Sequence, residues 1–186
     1  MKKLLVTAVA AASLASSMAF ASESPVMFSS VNHFNAPHQS AVKGVRLSAL
    51  HGKVNSVTGL DISLLGMSET NNTVGVNWGI FGGNKVNQSM TGASFGIFNY
   101  NKGLTKGVNV GAVNLTHNVN GVNLSFVNFS KGQTLVDLGA VSLSNQSEVQ
   151  VGIFNHTHNI KGVQVGLINC ADNGFLKCFP IVNFAL

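Results

Sequence analysis

A seven-residue string recurs along this chain. Val108–Asn114 reads V-N-V-G-A-V-N and Val163–Asn169 reads V-Q-V-G-L-I-N. Ten such units begin at Val45, Leu60, Val76, Ala93, Val108, Val122, Val136, Val149, Val163 and Lys177, in steps of 13–17 residues. A period this short means one small supersecondary unit built repeatedly, each copy burying its faces against its neighbours.

The columns of the alignment identify the unit. Position three is apolar throughout, as in Trp78, Phe95, Val110 and Leu124, and so is position five, as in Ile97, Phe126 and Ile153. Position two is polar in nine units, from Arg46 and Asp61 through Asn109 and Asp137 to Gln164. That is period-two alternation, the pattern of a half-buried strand. The apolar columns are expected to face a core and the polar column to face water. Position four is Gly, Ser or Pro, and positions five and six are both apolar, so the alternation breaks there and predicts a bend. Asn occupies position seven in Asn99, Asn114, Asn128, Asn155, Asn169 and Asn183, and Gly precedes position one in seven units. Both residues tolerate positive φ and suit turns.

Two all-β architectures answer to these columns. In a β-solenoid each unit is one coil, and the Asn column becomes a ladder of side-chain amides hydrogen-bonded from coil to coil. In an antiparallel meander or small barrel each unit is one strand, and the Asn column would alternate between two ends. Repetition by single units rather than hairpin pairs favours the solenoid. The alternating ending Val182, Phe184, Leu186 speaks for a barrel.

Residues 1–21 read as a secretory signal peptide. Lys2 and Lys3 precede an apolar run from Leu4 to Leu14, and Ala19-Phe20-Ala21 forms a small-x-small site with cleavage between Ala21 and Ser22. Residues 22–42, with Pro25 and Pro37, fall outside the repeat and are expected to be a leading cap or loose arm; residues 43–186 form the repeat domain. Processing removes two of the 11 basic residues, leaving 9 against 6 acids, a net charge of +3. The remaining lysines sit mostly in inter-unit turns without interleaved aromatics, which argues against nucleic acid. Membrane insertion is expected only of the barrel. Open solenoid edges would permit end-to-end self-association unless capped.

Cys170 and Cys178 are the only cysteines. In an oxidising compartment they are expected to pair, linking the ninth unit to the tenth. His156-x-His158 could begin a metal site, but no Cys, Asp or Glu neighbours the pair in sequence, and no metal or other cofactor is expected. The six acids, Glu23, Asp61, Glu69, Asp137, Glu148 and Asp172, are scattered over units and columns. No helix follows Gly79, Gly82 and Gly83 to receive a phosphate. No catalytic constellation emerges, and the chain is expected to be non-enzymatic, with a polysaccharide-cleaving β-helix as a distant alternative.

The unit Gly162-Val163-Gln164-Val165-Gly166-Leu167-Ile168-Asn169 resembles the "surface repeat" proteins of Leptospira and Bacteroidetes. The chain as a whole, with the ending Phe179-Pro180-Ile181-Val182-Asn183-Phe184, is similar to short exported proteins of Vibrio and related bacteria. The resemblance implies a Gram-negative envelope setting, in the periplasm, the outer membrane or on the surface. It transfers no active site. The expected role is structural or interactive, through a regular polar face and with a partner unknown; a small outer-membrane barrel is the alternative.

Overall fold

The computed structural model describes residues 23–31 and 33–186. The expected signal peptide and the Ala21–Ser22 cleavage site lie outside the described residues. Eight strands follow in order: β1 Glu23–Ser29, β2 Asn35–Ala36, β3 Ala41–Ser48, β4 His51–Ser63, β5 Met67–Gly79, β6 Gly83–Leu138, β7 Val141–Ala171 and β8 Cys178–Phe184. All belong to one sheet in the order β2-β1-β3-β4-β5-β6-β7-β8.

Strands β1, β3, β4, β5, β6 and β7 pair in parallel, each on the next. The register follows the repeat: Val45 lies beside Leu60, Leu60 beside Val76, Val76 beside Ala93 and Val136 beside Val149. Each of the first nine units is therefore one coil, and the chain is a β-solenoid. The meander and barrel need antiparallel neighbours and are excluded. Strands β3, β4 and β5 end at Ser48, Ser63 and Gly79, all position four. The corner thus falls where the alternation breaks.

Glycines set a second corner. Gly59, Gly75, Gly92, Gly107 and Gly121 all have positive φ, and a Cβ on any of them would strike the carbonyl oxygen of the glycine one coil below. Only glycine lets successive backbones approach so closely there.

The two ends differ from the coils between them. Within residues 22–42, β1 is a parallel strand lying on β3. Strand β2 then folds back antiparallel on Phe28 and Ser29. The tenth unit is not a coil. Strand β8 runs antiparallel to β7, placing Phe184 beside Val163 and Cys178 beside Cys170. Its sequence fits the unit because an alternating strand reads the same in either direction.

The larger correction concerns which face is inside. Position two is buried in every coil: Arg46, Asp61, Asn77, Ser94, Asn109, Asn123, Asp137, Gln150 and Gln164 are all solvent-inaccessible. Positions one, three and five point outward, with Trp78 51% and Phe126 73% exposed. The solenoid is polar inside and apolar outside. Alternation fixes that columns two and three lie on opposite sides, not which side is the interior. Coil size decides it. About 14 residues enclose a narrow lumen that has no room for Trp, Phe and Leu columns from facing walls. Amides fit, and stacking at about 4.8 Å lets each one hydrogen-bond to its neighbours. Among the described residues, buried apolar side chains cluster at the N-terminal end, where Met27, Val42, Val54 and Val57 meet, and recur at Val86, Met90, Val119, Ile160, Cys170 and Ala171.

Candidate functional site

The interior is a set of hydrogen-bonded columns. Asn84 donates from Nδ2 to Oδ1 of Asn99 at 3.0 Å, Asn99 to Asn114 at 2.9 Å, and Asn114 to Asn128 at 3.1 Å. The second Nδ2 hydrogen of Asn84 and Asn99 goes to a position-three carbonyl of the next coil, on Phe95 and Val110, and Asn128 Nδ2 donates to the corresponding carbonyl of Leu138. Asn84 and Asn99 thereby satisfy both donors in the coil above, so their burial is not penalised as that of orphaned donors would be. The run stops at Ser142, which is too short to reach, and resumes with Asn155 donating to Asn169 at 2.8 Å. The acceptor oxygens at the foot of each run, Asn84 Oδ1 and Asn155 Oδ1, have no partner. Asn183 does not extend the ladder. On the reversed strand it donates to Gln164 Oε1 and to the backbone oxygen of Asn169.

The ionisable groups are arranged by the same stacking. Arg46 grips Asp61 through Nε at 2.8 Å and Nη2 at 2.9 Å, both groups fully buried, with the Ser68 hydroxyl bonded to each. Asp137 receives hydrogen bonds from Asn123 at 2.9 Å and Thr134 at 2.7 Å; burial nonetheless raises its carboxyl pKa above the ordinary range. Glu69 sits among Lys85 at 3.1 Å, His51 at 3.6 Å and Lys53 at 3.7 Å. Burial pushes its pKa upward, but hydrogen bonds from Asn87 and Lys85 and the charges of Lys85 and Lys53 outweigh it and hold it at about 2. His158 Nδ1 meets Asp172 at 2.8 Å one coil on, and that bond holds the Asp172 carboxyl below its usual range.

The outside of the coils is the candidate functional surface. Columns one and three run from Val26 and Phe28 in β1 to Val163 and Val165 in β7, apolar at every level. The antiparallel β8 continues them with Phe184 and Val182. Position five forms a ridge along one margin of this face, including Ile97, Phe126, Ile153 and Leu167. Polar residues are confined to the turn beyond position nine, where Lys102, His117, Lys131 and His158 are exposed. A shallow groove of about 520 Å³ there is lined by Tyr100, Leu115 and Phe129 beside Lys102, His117 and Lys131.

No family model, curated protein or solved structure matches the chain.

The sequence-expected residues are distributed as follows. Cys170 and Cys178 form a disulfide joining the last coil to the strand that caps it. Asn99, Asn114 and Asn128 are consecutive rungs, Asn155 and Asn169 a second pair, and Asn183 a cap on the Gln150–Gln164 column. His156 and His158 pack edge to face at 5.4 Å, and an acid does neighbour them, since the next coil brings Asp172 alongside His158. Sequence reasoning missed the Arg46–Asp61 pair, the Glu69 cluster and the outward apolar face. Side-chain volume was the available signal for the face: Trp78, Phe95 and Phe126 are too large for the lumen of a 14-residue coil.

Proposed function

We propose that this chain is an exported, non-enzymatic module of a Gram-negative envelope that acts by contact, docking through the outward apolar columns of its solenoid. The observation that carries this reading is the inversion of the coils. A soluble monomer rarely leaves a continuous apolar face far above a few hundred Å² in water, and larger faces mark interaction sites. Three further features support the reading. The N-terminal residues have the pattern of a secretory leader, and a disulfide persists best in an oxidising compartment. The units resemble surface repeats. The ionisable groups Arg46, Asp61, Glu69 and Asp172 are engaged with one another or with neighbouring side chains in structural pairs.

The test is expression of the full chain with its own leader in a Gram-negative host, followed by fractionation. A processed chain in the periplasm, outer membrane or medium is expected. An unprocessed chain in the cytoplasm would refute the reading. Substituting Leu124→Lys, outward on column three, is expected to release the processed chain from whatever it contacts without lowering the thermal midpoint of the unassociated chain.

A further inference from the structure

The apolar face leaves open what covers it, and three of its features narrow the answer. The first is area. Ten parallel levels at about 4.8 Å span roughly 43 Å, and positions one to five at about 3.3 Å per residue span roughly 16 Å. That gives about 700 Å² for each copy and about 1,400 Å² for two facing copies, within the range of a standard stable interface. The second is chemistry. Columns one, three and five carry no charge at any level, so they offer nothing with which to recognise a polar or ionic partner. A polar rim runs along the margin before the glycine corner, including Lys43, Lys106, Glu148 and Lys161. An apolar centre with a charged rim is the anatomy of a protein–protein interface.

The third is relief. Phe126 is the most exposed ring on the ridge, and the levels below and above it carry Ala112 and Ala140. A knob flanked by two notches one coil away on each side is self-complementary. A two-fold axis near Phe126 seats each ring in a notch of the other copy, and both faces share the strand spacing by construction. The ends of the solenoid are less suited to association. Strand β8 carries Pro180, which has no N–H to offer, and Phe175 stacks on Phe184 at 5.5 Å and donates to its carbonyl. Strand β2 returns over part of β1.

We infer that the occupant is a second copy of this chain, packed face to face across columns one, three and five, with Phe126 of each copy set in an alanine notch of the other. The inference rests on the reading of the protein as a contact module and names its first partner.

Sedimentation equilibrium of the purified processed chain, read together with acrylamide quenching of Trp78, tests it. Trp78 is the only tryptophan and lies on column three. The expected result is a dimer in which Trp78 is protected, with protection lost on dilution. Phe126→Lys and Leu124→Lys should each weaken dimerisation by about 100-fold or more, since each buries an unpaired charge twice per dimer. Asn145→Lys, exposed on the polar turn, should leave it unchanged. A dimer that survives both face variants, or one in which Trp78 stays quenchable, would overturn the inference by placing the interface elsewhere. A monomer whose Trp78 becomes protected on neutral phosphatidylcholine vesicles would overturn it while sparing the contact module, with a bilayer as occupant. A monomer that binds no vesicle, and whose face variants fractionate in the host as the parent does, would overturn both.

Discussion

Exchanging Asn109 and Val110 for aspartate, one at a time, separates the two sides of the coil wall. Asn109 is fully buried; its Oδ1 accepts from Asn101 at 2.7 Å and its Nδ2 donates to Asn123 Oδ1 at 2.8 Å. Asn109→Asp removes that donor, leaves Asn123 Oδ1 unpaired and turns two acceptors toward each other. Asn123 cannot simply flip, because its own Nδ2 is engaged by Asp137 Oδ1 at 2.9 Å. An orphaned acceptor and a buried unpaired carboxylate together cost about 3–5 kcal/mol. Val110 is adjacent in sequence but outward, so in the unassociated chain Val110→Asp keeps its carboxylate in water and should cost below about 1 kcal/mol. Denaturation midpoints of both variants, taken at a dilution at which the chain is monomeric, measure the difference. A second signature is pH. In the Asn109→Asp variant, burial raises the folded-state pKa of the new carboxyl above its unfolded value, so the folded state binds more protons. The deficit of Asn109→Asp should therefore shrink as pH falls toward the unfolded pKa and grow as pH rises, whereas that of Val110→Asp should change little. A Val110→Asp cost equal to or larger than that of Asn109→Asp would refute the inverted assignment of faces.

Three other substitutions probe separate parts of the stack. Ser142→Asn should join the two amide ladders, placing a donor beside the unpaired Oδ1 of Asn155, and raise the denaturation midpoint by an amount equivalent to about 0.5–1.5 kcal/mol; an unchanged or lowered midpoint would show that the gap at Ser142 is not a missing rung. Glu69 has a folded pKa of about 2, below the unfolded value, so its contribution is complete above about pH 4.5 and disappears as pH falls toward 2; Glu69→Gln should be less stable at neutral pH and lose less on acidification, as read from thermal midpoints between pH 7 and 2. Replacing Cys170 and Cys178 together by Ala opens a short loop at the capped end and should cost about 2–3 kcal/mol, with hydrogen exchange accelerating first in β8 and the last coil.

The coil plan was legible in the sequence because it depends on spacing alone. Val45, Leu60, Val76 and Ala93 mark unit starts, and they are the residues that pair across β3, β4, β5 and β6. The corner after position four was legible for the same reason. Orientation was not, because a strand pattern with period two is unchanged when its faces are exchanged. The direction of β8 was hidden by a similar symmetry. The ion pairs were obscured by insertions. Separations of 16 residues each place Lys53, Glu69 and Lys85 side by side, but the unit starts Val45, Leu60 and Val76 step by 15 and then 16, so counting from the unit start assigns Lys53 to a different column from the other two. Asp172 reached His158 unseen because its partner is one coil away in space and 14 residues away in sequence.

An inverted solenoid divides labour between its two sides in a way that bears on where function can reside. Inside, every rung must match the rung above it, since an amide facing a shorter side chain leaves an unpaired acceptor, as at Ser142 and Asn155. Columns two and seven therefore hold polar residues nearly throughout, and their identity reports on stacking. Outside, no such constraint applies. Position five passes from Ala112 to Phe126 and back to Ala140 while the backbone register holds at 14 residues per step, as in the pairing of Val127 with Val141. Size can vary there at no cost to the coil, provided the face stays apolar. What distinguishes one level from the next is thus written on the outer columns, and the proposed contact falls on them rather than on the uniform polar interior. Exchanging Phe126 with Ala112 should leave the thermal midpoint of the dilute, monomeric chain within about 0.5 kcal/mol of the parent, while shifting the knob by one level and weakening the contact it makes. Weakened self-association with unchanged stability would place recognition on the relief of the face, and a loss of both would place Phe126 in the fold instead.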